Sequence, residues 1–166
     1  MRYSIRPATL EDAASIQAIY AHHVKTGTGT FELDPPDLAE IQARMTKIAK
    51  RGSPWLVAFN DGGHIIGYAY AGPFRERPAY DCTVEDSIYL GPEAIGRGIG
   101  RALLAELIAR CAETGYTQML AVIGDSGNLA SIGLHRAMGF EDVGVLRDVG
   151  HKFGRYLDVV ILQKSL

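Results

Sequence analysis

A chain of 166 residues, 47% hydrophobic and 22% charged, has the length and balance of one globular domain with a real core. A formal net charge of −2 leaves no electrostatic case for binding nucleic acid. No apolar run reaches the roughly 18 residues that span a bilayer, and the start Met1-Arg-Tyr-Ser-Ile-Arg-Pro-Ala8 has no apolar leader. The two cysteines, Cys82 and Cys111, imply no disulfide framework. A single cytoplasmic domain over residues 1–166 is expected, away from membranes. His22 and His23 are adjacent and face different ways on a helix, and no spacing suits a metal site.

Tyr3 to Arg6 reads as a strand ended by Pro7. Thr9, with Asp12 three residues on, opens a helix with Ile16, Ile19, Tyr20 and His23 at helical spacing. Thr26 to Pro36 breaks that period and is a loop. Asp37 starts a second helix with Leu38, Ile41, Met45 and Ile48 inward, and Gly52 ends it. Trp55 to Phe59 and His64 to Ala71 are strands turned back on each other by Asn60-Asp61-Gly62-Gly63. A fourth strand lies near Asp81 to Leu90. A helix from Ala102 to Glu113, a strand near Thr117 to Ile123 and a helix from Asn128 follow. Strands near Phe140 to Arg147 and Tyr156 to Gln163 close the chain. The order β-α-α-β-β-β-α-β-α-β-β predicts an α+β fold with a parallel crossover in mid-sheet.

The segment Gly96-Arg97-Gly98-Ile99-Gly100-Arg101 joins the fourth strand to the next helix. Its glycines let the backbone turn tightly and approach a ligand. The first N–H groups of the helix point into that turn, so an anion cradle is expected, with Arg97 and Arg101 adding charge. No Lys-Ser/Thr follows the glycines, which excludes a P-loop. The spacing departs from a dinucleotide fingerprint, and Gln118 to Ile123 holds no acid for a ribose.

The segment resembles the acyl-CoA pyrophosphate loop of the Gcn5-related N-acetyltransferases, Arg-Gly-x-Gly-x-Gly, with Ile95 where Gln or Arg is usual. Asn128-Leu-Ala-Ser-Ile-Gly-Leu-His-Arg-Ala-Met-Gly-Phe140 resembles the second cofactor signature of that superfamily. Asn128 is placed to cap its helix, Ser131 lies one turn along, and His135 stands where many relatives have Tyr. The resemblance implies a mixed, mostly antiparallel, twisted sheet flanked by helices, with acetyl-CoA as cofactor. Ile88, Tyr89, Leu90, Gly96 to Arg101, Asn128, Ser131 and His135 would border it.

Further segments resemble the phosphinothricin and methionine sulfoximine N-acetyltransferases. They are Ile5-Arg-Pro-Ala-Thr9, Thr30-Phe31-Glu32, Gly67 to Tyr80, Thr83-Val-Glu85 and Val149 to Asp158. Tyr156 stands where Trp is common. A protonated amine cannot attack a thioester, so a base is needed. Glu85 is the candidate, since Val84 and Asp86 point to the opposite face of a regular strand. His135 is the candidate acid for the leaving thiolate. A backbone N–H near Tyr89 and Leu90 would stabilise the developing oxyanion. Arg75 and Arg77, flanking Glu76, offer planar forks for an oxidised acceptor head group. Phe31, Tyr80, Asp86, Ser87 and Tyr156 complete the expected acceptor surroundings, and Lys152 and Arg155 are assigned to the sheet or a dimer contact. The expected activity is direct acetylation, in a ternary complex, of the α-amino group of methionine sulfoximine, methionine sulfone or phosphinothricin. The resemblance also implies a homodimer. The alternatives are acetylation of a protein N-terminus or other amine, and a non-catalytic acyl-CoA sensor.

Overall fold

The computed structural model describes residues 2–166. Among them, seven strands form one sheet in the order β1-β2-β3-β4-β5-β7-β6. They are β1 (Tyr3–Pro7), β2 (Trp55–Asn60), β3 (Ile65–Pro73), β4 (Thr83–Leu90), β5 (Gln118–Gly124), β6 (Glu141–Lys152) and β7 (Arg155–Ser165). Four α-helices cover the faces: α1 (Ala13–Thr26), α2 (Leu38–Lys50), α3 (Ile99–Thr114) and α4 (Leu129–Ala137). Every neighbouring pair is antiparallel except β4 and β5. This is the mixed, mostly antiparallel sheet that the resemblance implies, with the parallel crossover in mid-sheet expected from the element order.

Alternation along the central strands divides the apolar side chains between two cores. Leu56, Ala58, Val84, Met119 and Leu162 pack against Leu103, Leu104 and Leu107 of α3. Trp55, Val57 and Tyr68 pack on the other face against Ile16 and Tyr20 of α1 and Ile41 and Met45 of α2. Each large aliphatic chain buried this way contributes about 1.5–3 kcal/mol. Thr9 and Asp12 form the expected capping box, although the turn it opens is a short 3-10 segment before α1. Asp37 caps α2 by accepting from the Glu40 N–H at 2.8 Å.

Two readings of the sequence need correction. Leu38 is exposed rather than inward, because nothing covers the first turn of α2. The terminal hairpin is longer than expected, with β6 reaching Lys152 and β7 starting at Arg155. Asp148 has a φ of 54°, and Gly150 follows two residues on. A register shift between Leu146 and Gly150 absorbs them, and the ladder resumes.

The loop of residues 27–37 is pinned across this hairpin and the end of β5. Thr28 Oγ1 donates to Asp125 Oδ2 at 2.7 Å, and buried Lys152 donates through Nζ to the Thr30 carbonyl at 2.8 Å. The Phe31 ring fills the space above Gly124 and Gly150, where any Cβ would collide with it. Gly150→Val should therefore displace Phe31 and loosen the loop, at a cost of about 1–3 kcal/mol from overpacking. Urea unfolding checks this as a lowered midpoint. An unchanged midpoint would mean that Phe31 moves aside freely.

Candidate active site

The β4–β5 ladder pairs only Thr83, Val84 and Glu85 with Gln118, Met119 and Leu120. Beyond it, β4 stays bound to β3 through Leu90, and β5 stays bound to β7 through Gly124. The two central strands therefore part after Glu85, and a cleft of about 500 Å³ opens between Asp86–Leu90 and Ala121–Gly124. Backbone groups of β4 turned toward the gap lack a strand partner and, apart from the Leu90 carbonyl that His23 occupies, are free for an extended ligand.

At the mouth of this fork, Gly96 and Gly98 have φ of 74° and 78°. No heavy atom lies within 4 Å of where their Cβ atoms would stand, so the cradle is open. Gly98 caps α3, and Ala102 N donates to Gly98 O at 3.1 Å. The N–H groups of Ile99, Gly100 and Arg101 therefore have no helical partner and point out at the positive end of the helix dipole. Ile99 contributes only backbone, because its side chain is buried in the core. Arg97 turns away and donates to the Glu93 carbonyl at 2.7 Å, whereas Arg101 lines the cleft. Asn128 caps α4 by accepting from Ser131 N at 3.3 Å, and both residues line the cleft with His135. The cradle, the open strand edge and the α4 side chains fit a pyrophosphate-bearing pantetheine thioester.

On the other face of β4 lies a cavity of about 260 Å³, with Arg44, Lys47, Trp55, Tyr70, Glu85 and Ser87 in its wall. Ser87 borders both this cavity and the cleft, so the two meet at that residue. The Glu85 carboxylate makes no hydrogen bond or ion pair among the described residues. Burial, helped by the charge of Asp86, pushes its pKa up to about 7. The cavity wall is braced from behind. Arg44 grips Glu32 with two nitrogens, at 2.7 and 3.0 Å, and Tyr20 donates to the same carboxylate. Arg44 holds the Glu32 pKa below its ordinary value. A larger cavity of about 580 Å³ lies between the end of β1 and the C-terminal half of α2. Its only charged linings are Lys50 and Arg110, so it holds no base for an amine.

Asp86 points to the α4 face, not into the acceptor cavity. Its Oδ2 lies 2.9 Å from His135 Nε2, and both side chains are buried. His135 Nδ1 donates to the Ser131 carbonyl at 2.7 Å.

A sequence profile described as the Acetyltransferase (GNAT) family matches residues 16–140. The chain belongs to this family. It is 52% identical over 163 residues to a phosphinothricin N-acetyltransferase of Alcaligenes faecalis, covering 98% of this chain and 82% of that one. It is 43% identical over 166 residues to an L-methionine sulfoximine/L-methionine sulfone acetyltransferase of Pseudomonas paraeruginosa, covering 100% and 96%. Among solved structures, it is similar to a GNAT phosphinothricin acetyltransferase of Sinorhizobium meliloti in complex with AcCoA. That match has a TM-score of 0.97 and 48% identity, over 100% of this chain and 89% of that one. A ribosomal-protein-alanine N-acetyltransferase of Brucella melitensis matches with a TM-score of 0.94 and 40% identity, over 98% and 99%.

In this GNAT chain the cofactor side gathers most of the residues expected from sequence, and the acceptor side gathers fewer. Phe31 supports the loop instead of lining the cavity. Tyr80 packs edge-on against Phe74, with ring centres 5.6 Å apart, and Tyr156 is 69% exposed beside His151. Arg75, Glu76 and Arg77 lie on the exposed segment just past Pro73, which itself borders the cavity. Glu76 pairs with Lys47 at 3.3 Å. Neither arginine has an ion-pair partner among the described residues.

Sequence reasoning missed Arg44, Lys47, Trp55, Tyr70 and the cleft-lining His23. Arg44 carried a signal, because it falls on the inward stripe with Ile41 and Ile48. His23 Nε2 donates to the Leu90 carbonyl at 2.8 Å, and burial holds its pKa below the ordinary value. A branched side chain at Gly98 would be strained at that φ and would fill the cradle. Gly98→Val should thus weaken acetyl-CoA binding at least tenfold, about 1.4 kcal/mol, by calorimetric titration. Unchanged affinity in a folded variant would contradict the cradle.

Proposed function

We propose that this acetyltransferase uses acetyl-CoA to acetylate the α-amino group of small amino acids with a tetrahedral polar head, such as methionine sulfoximine, methionine sulfone and phosphinothricin. The observation that carries this reading is the unpartnered Glu85 in a cavity that meets the cofactor cleft at Ser87. A volume of about 260 Å³ suits one amino acid better than a peptide, which needs an open groove. The relatives named for phosphinothricin and methionine sulfoximine support the same choice.

Acetyl-CoA supplies the activated acyl group. Glu85, ionised above about pH 7, takes a proton from the substrate ammonium, directly or through one water, and frees the lone pair for attack; the second amine proton passes to water as the amide forms. The free edge of β4 offers a backbone N–H to the developing oxyanion. Arg75 and Arg77, uncommitted to any internal carboxylate, hold the acidic or oxidised head of the acceptor. A non-catalytic sensor would have no use for a half-buried, unpaired carboxylate at this position, since such a group is costly to keep. Exposed Val143, Leu146 and Val149 on edge strand β6 support pairing with a second copy as a homodimer.

Steady-state kinetics with the three acceptors and plain methionine tests the reading. Glu85→Gln should lower turnover by about 10²–10⁴-fold with little change in acetyl-CoA affinity. Wild-type kcat/KM for the acceptor should rise with pH through about 7, as Glu85 loses its proton, and the variant should lack that limb. Arg75→Ala or Arg77→Ala should raise the acceptor KM about tenfold. Near-normal turnover of Glu85→Gln across the profile would place the base elsewhere.

A further inference from the structure

Two buried groups beside the cofactor cleft are left over from this chemistry. Asp86 Oδ1 is buried with no hydrogen-bond partner among the described residues, although Asp86 borders the cleft. His135 has both ring nitrogens committed within the protein. Its Nδ1 meets the Ser131 carbonyl, which can only accept, so Nδ1 carries a proton. Its contact with Asp86 Oδ2 holds a second proton, on one atom or the other. Neither proton is aimed at the cleft. Ser131 lines the cleft, and its Oγ lies 3.4 Å from His135 Nδ1, a distance that such contacts shorten when a ligand binds.

We infer that the Ser131 hydroxyl gives the proton to the departing CoA sulfur, and that His135 and Asp86 stand behind it as the store that replaces that proton. The inference rests on the acetyl-transfer reading above. When the thioester C–S bond breaks, its electron pair stays on sulfur. Ser131 passes its O–H proton to that sulfur, forming S–H. His135 passes the Nδ1 proton to Ser131 Oγ, which restores the hydroxyl. The ring keeps its other proton at Nε2 against Asp86, and the pair goes from net neutral to net negative. One proton taken from water after product release resets it. Ser131 is the catalytic residue of this relay, His135 resupplies it, and Asp86 is a positioning residue that keeps the ring charged and oriented.

Few titratable groups surround the pair. β4 contributes Asp86, with Glu85 on its opposite face. Near Asp86, α3 contributes Cys111, whose thiol burial pushes up to about 12 and so keeps neutral. Phe140 packs edge-on against the ring, with centres 5.0 Å apart. Burial pulls the imidazole pKa down, but the bond and charge of Asp86 and the Ser131 carbonyl outweigh it, and the net direction is up. That direction favours the loaded form of the store.

Ser131→Ala tests the relay, with Ser131→Thr restoring a hydroxyl. The first readout needs no turnover: the thiol of CoA bound to the enzyme is titrated by its ultraviolet thiolate absorbance. A hydroxyl donating to sulfur favours the thiolate, so Ser131→Ala should raise the midpoint by about one pH unit, and Ser131→Thr should return it. The single-turnover rate should fall about 10²-fold in Ser131→Ala and recover in Ser131→Thr. Nitrogen-15 NMR of the free protein should find His135 doubly protonated through neutral pH, and Asp86→Asn should lose one of those protons there. An unmoved thiol titration and rate in folded Ser131→Ala overturn the relay. If the wild type acetylates none of the amino acids, the functional reading fails, and the thiol titration alone then decides the relay.

Discussion

A parallel pairing that stops after three residues governs the rest of this molecule. β4 and β5 are the only parallel neighbours in the described sheet, and their ladder ends at Glu85 and Leu120. Each strand continues with its other partner, so the sheet forks instead of ending. The fork exposes strand edges that any sheet would otherwise bind, which makes them receptive to an extended ligand. The glycine turn and the start of α3 lie at its mouth, and α4 closes one side. The core beneath, built on Leu103, Leu104 and Leu107, holds the two arms apart.

Alternation along β4 then separates the chemistry. Glu85 and Ser87 face the cavity under α2, while Asp86 faces His135 on α4. In the proposed mechanism, proton removal from the amine and proton return to sulfur lie on opposite faces of one strand, with the acyl group between. The arrangement costs stability. Between its ordinary 4.5 and about 7, Glu85 keeps a proton in the folded chain that the unfolded chain has already lost. Folding stability falls as pH rises through that window, because the folded state binds the extra proton. A surface carboxylate would avoid the cost, and it would be a weaker base at neutral pH.

Much of the fold was legible in the sequence because its signals are local. Apolar periodicity, the Thr9–Asp12 box, the Asp37 cap and the Asn60–Gly63 turn each act over a few residues. The terminal hairpin runs past Arg147 because a register shift carries its ladder across Asp148 and Gly150, and that shift shows only when the partner strand is seen. On the cofactor side, the glycine turn and the Asn128 helix carry their function in backbone geometry that short motifs encode. The acceptor side depends on which residues four separate elements bring together. Arg44 of α2, Trp55 of β2, Tyr70 of β3 and Glu85 of β4 meet only after folding, and nothing local joins them. Aromatic residues such as Phe31 and Tyr156 gave no local sign of whether they line the cavity, and neither does. His135 was found, but its two internal bonds were not, and they decide what it can do.

The central claim is that the acyl donor enters the fork from one face while the amine reaches it from the other. A crystal structure of the protein with CoA and L-methionine sulfoximine bound together tests this most directly. The thiol should lie in the fork beside Ser87 and Ser131, with the α-nitrogen within hydrogen-bonding distance of Glu85 or joined to it by one water. A sulfoximine seated in the larger cavity beside Lys50 and Arg110, or a CoA thiol outside the fork, would contradict the account.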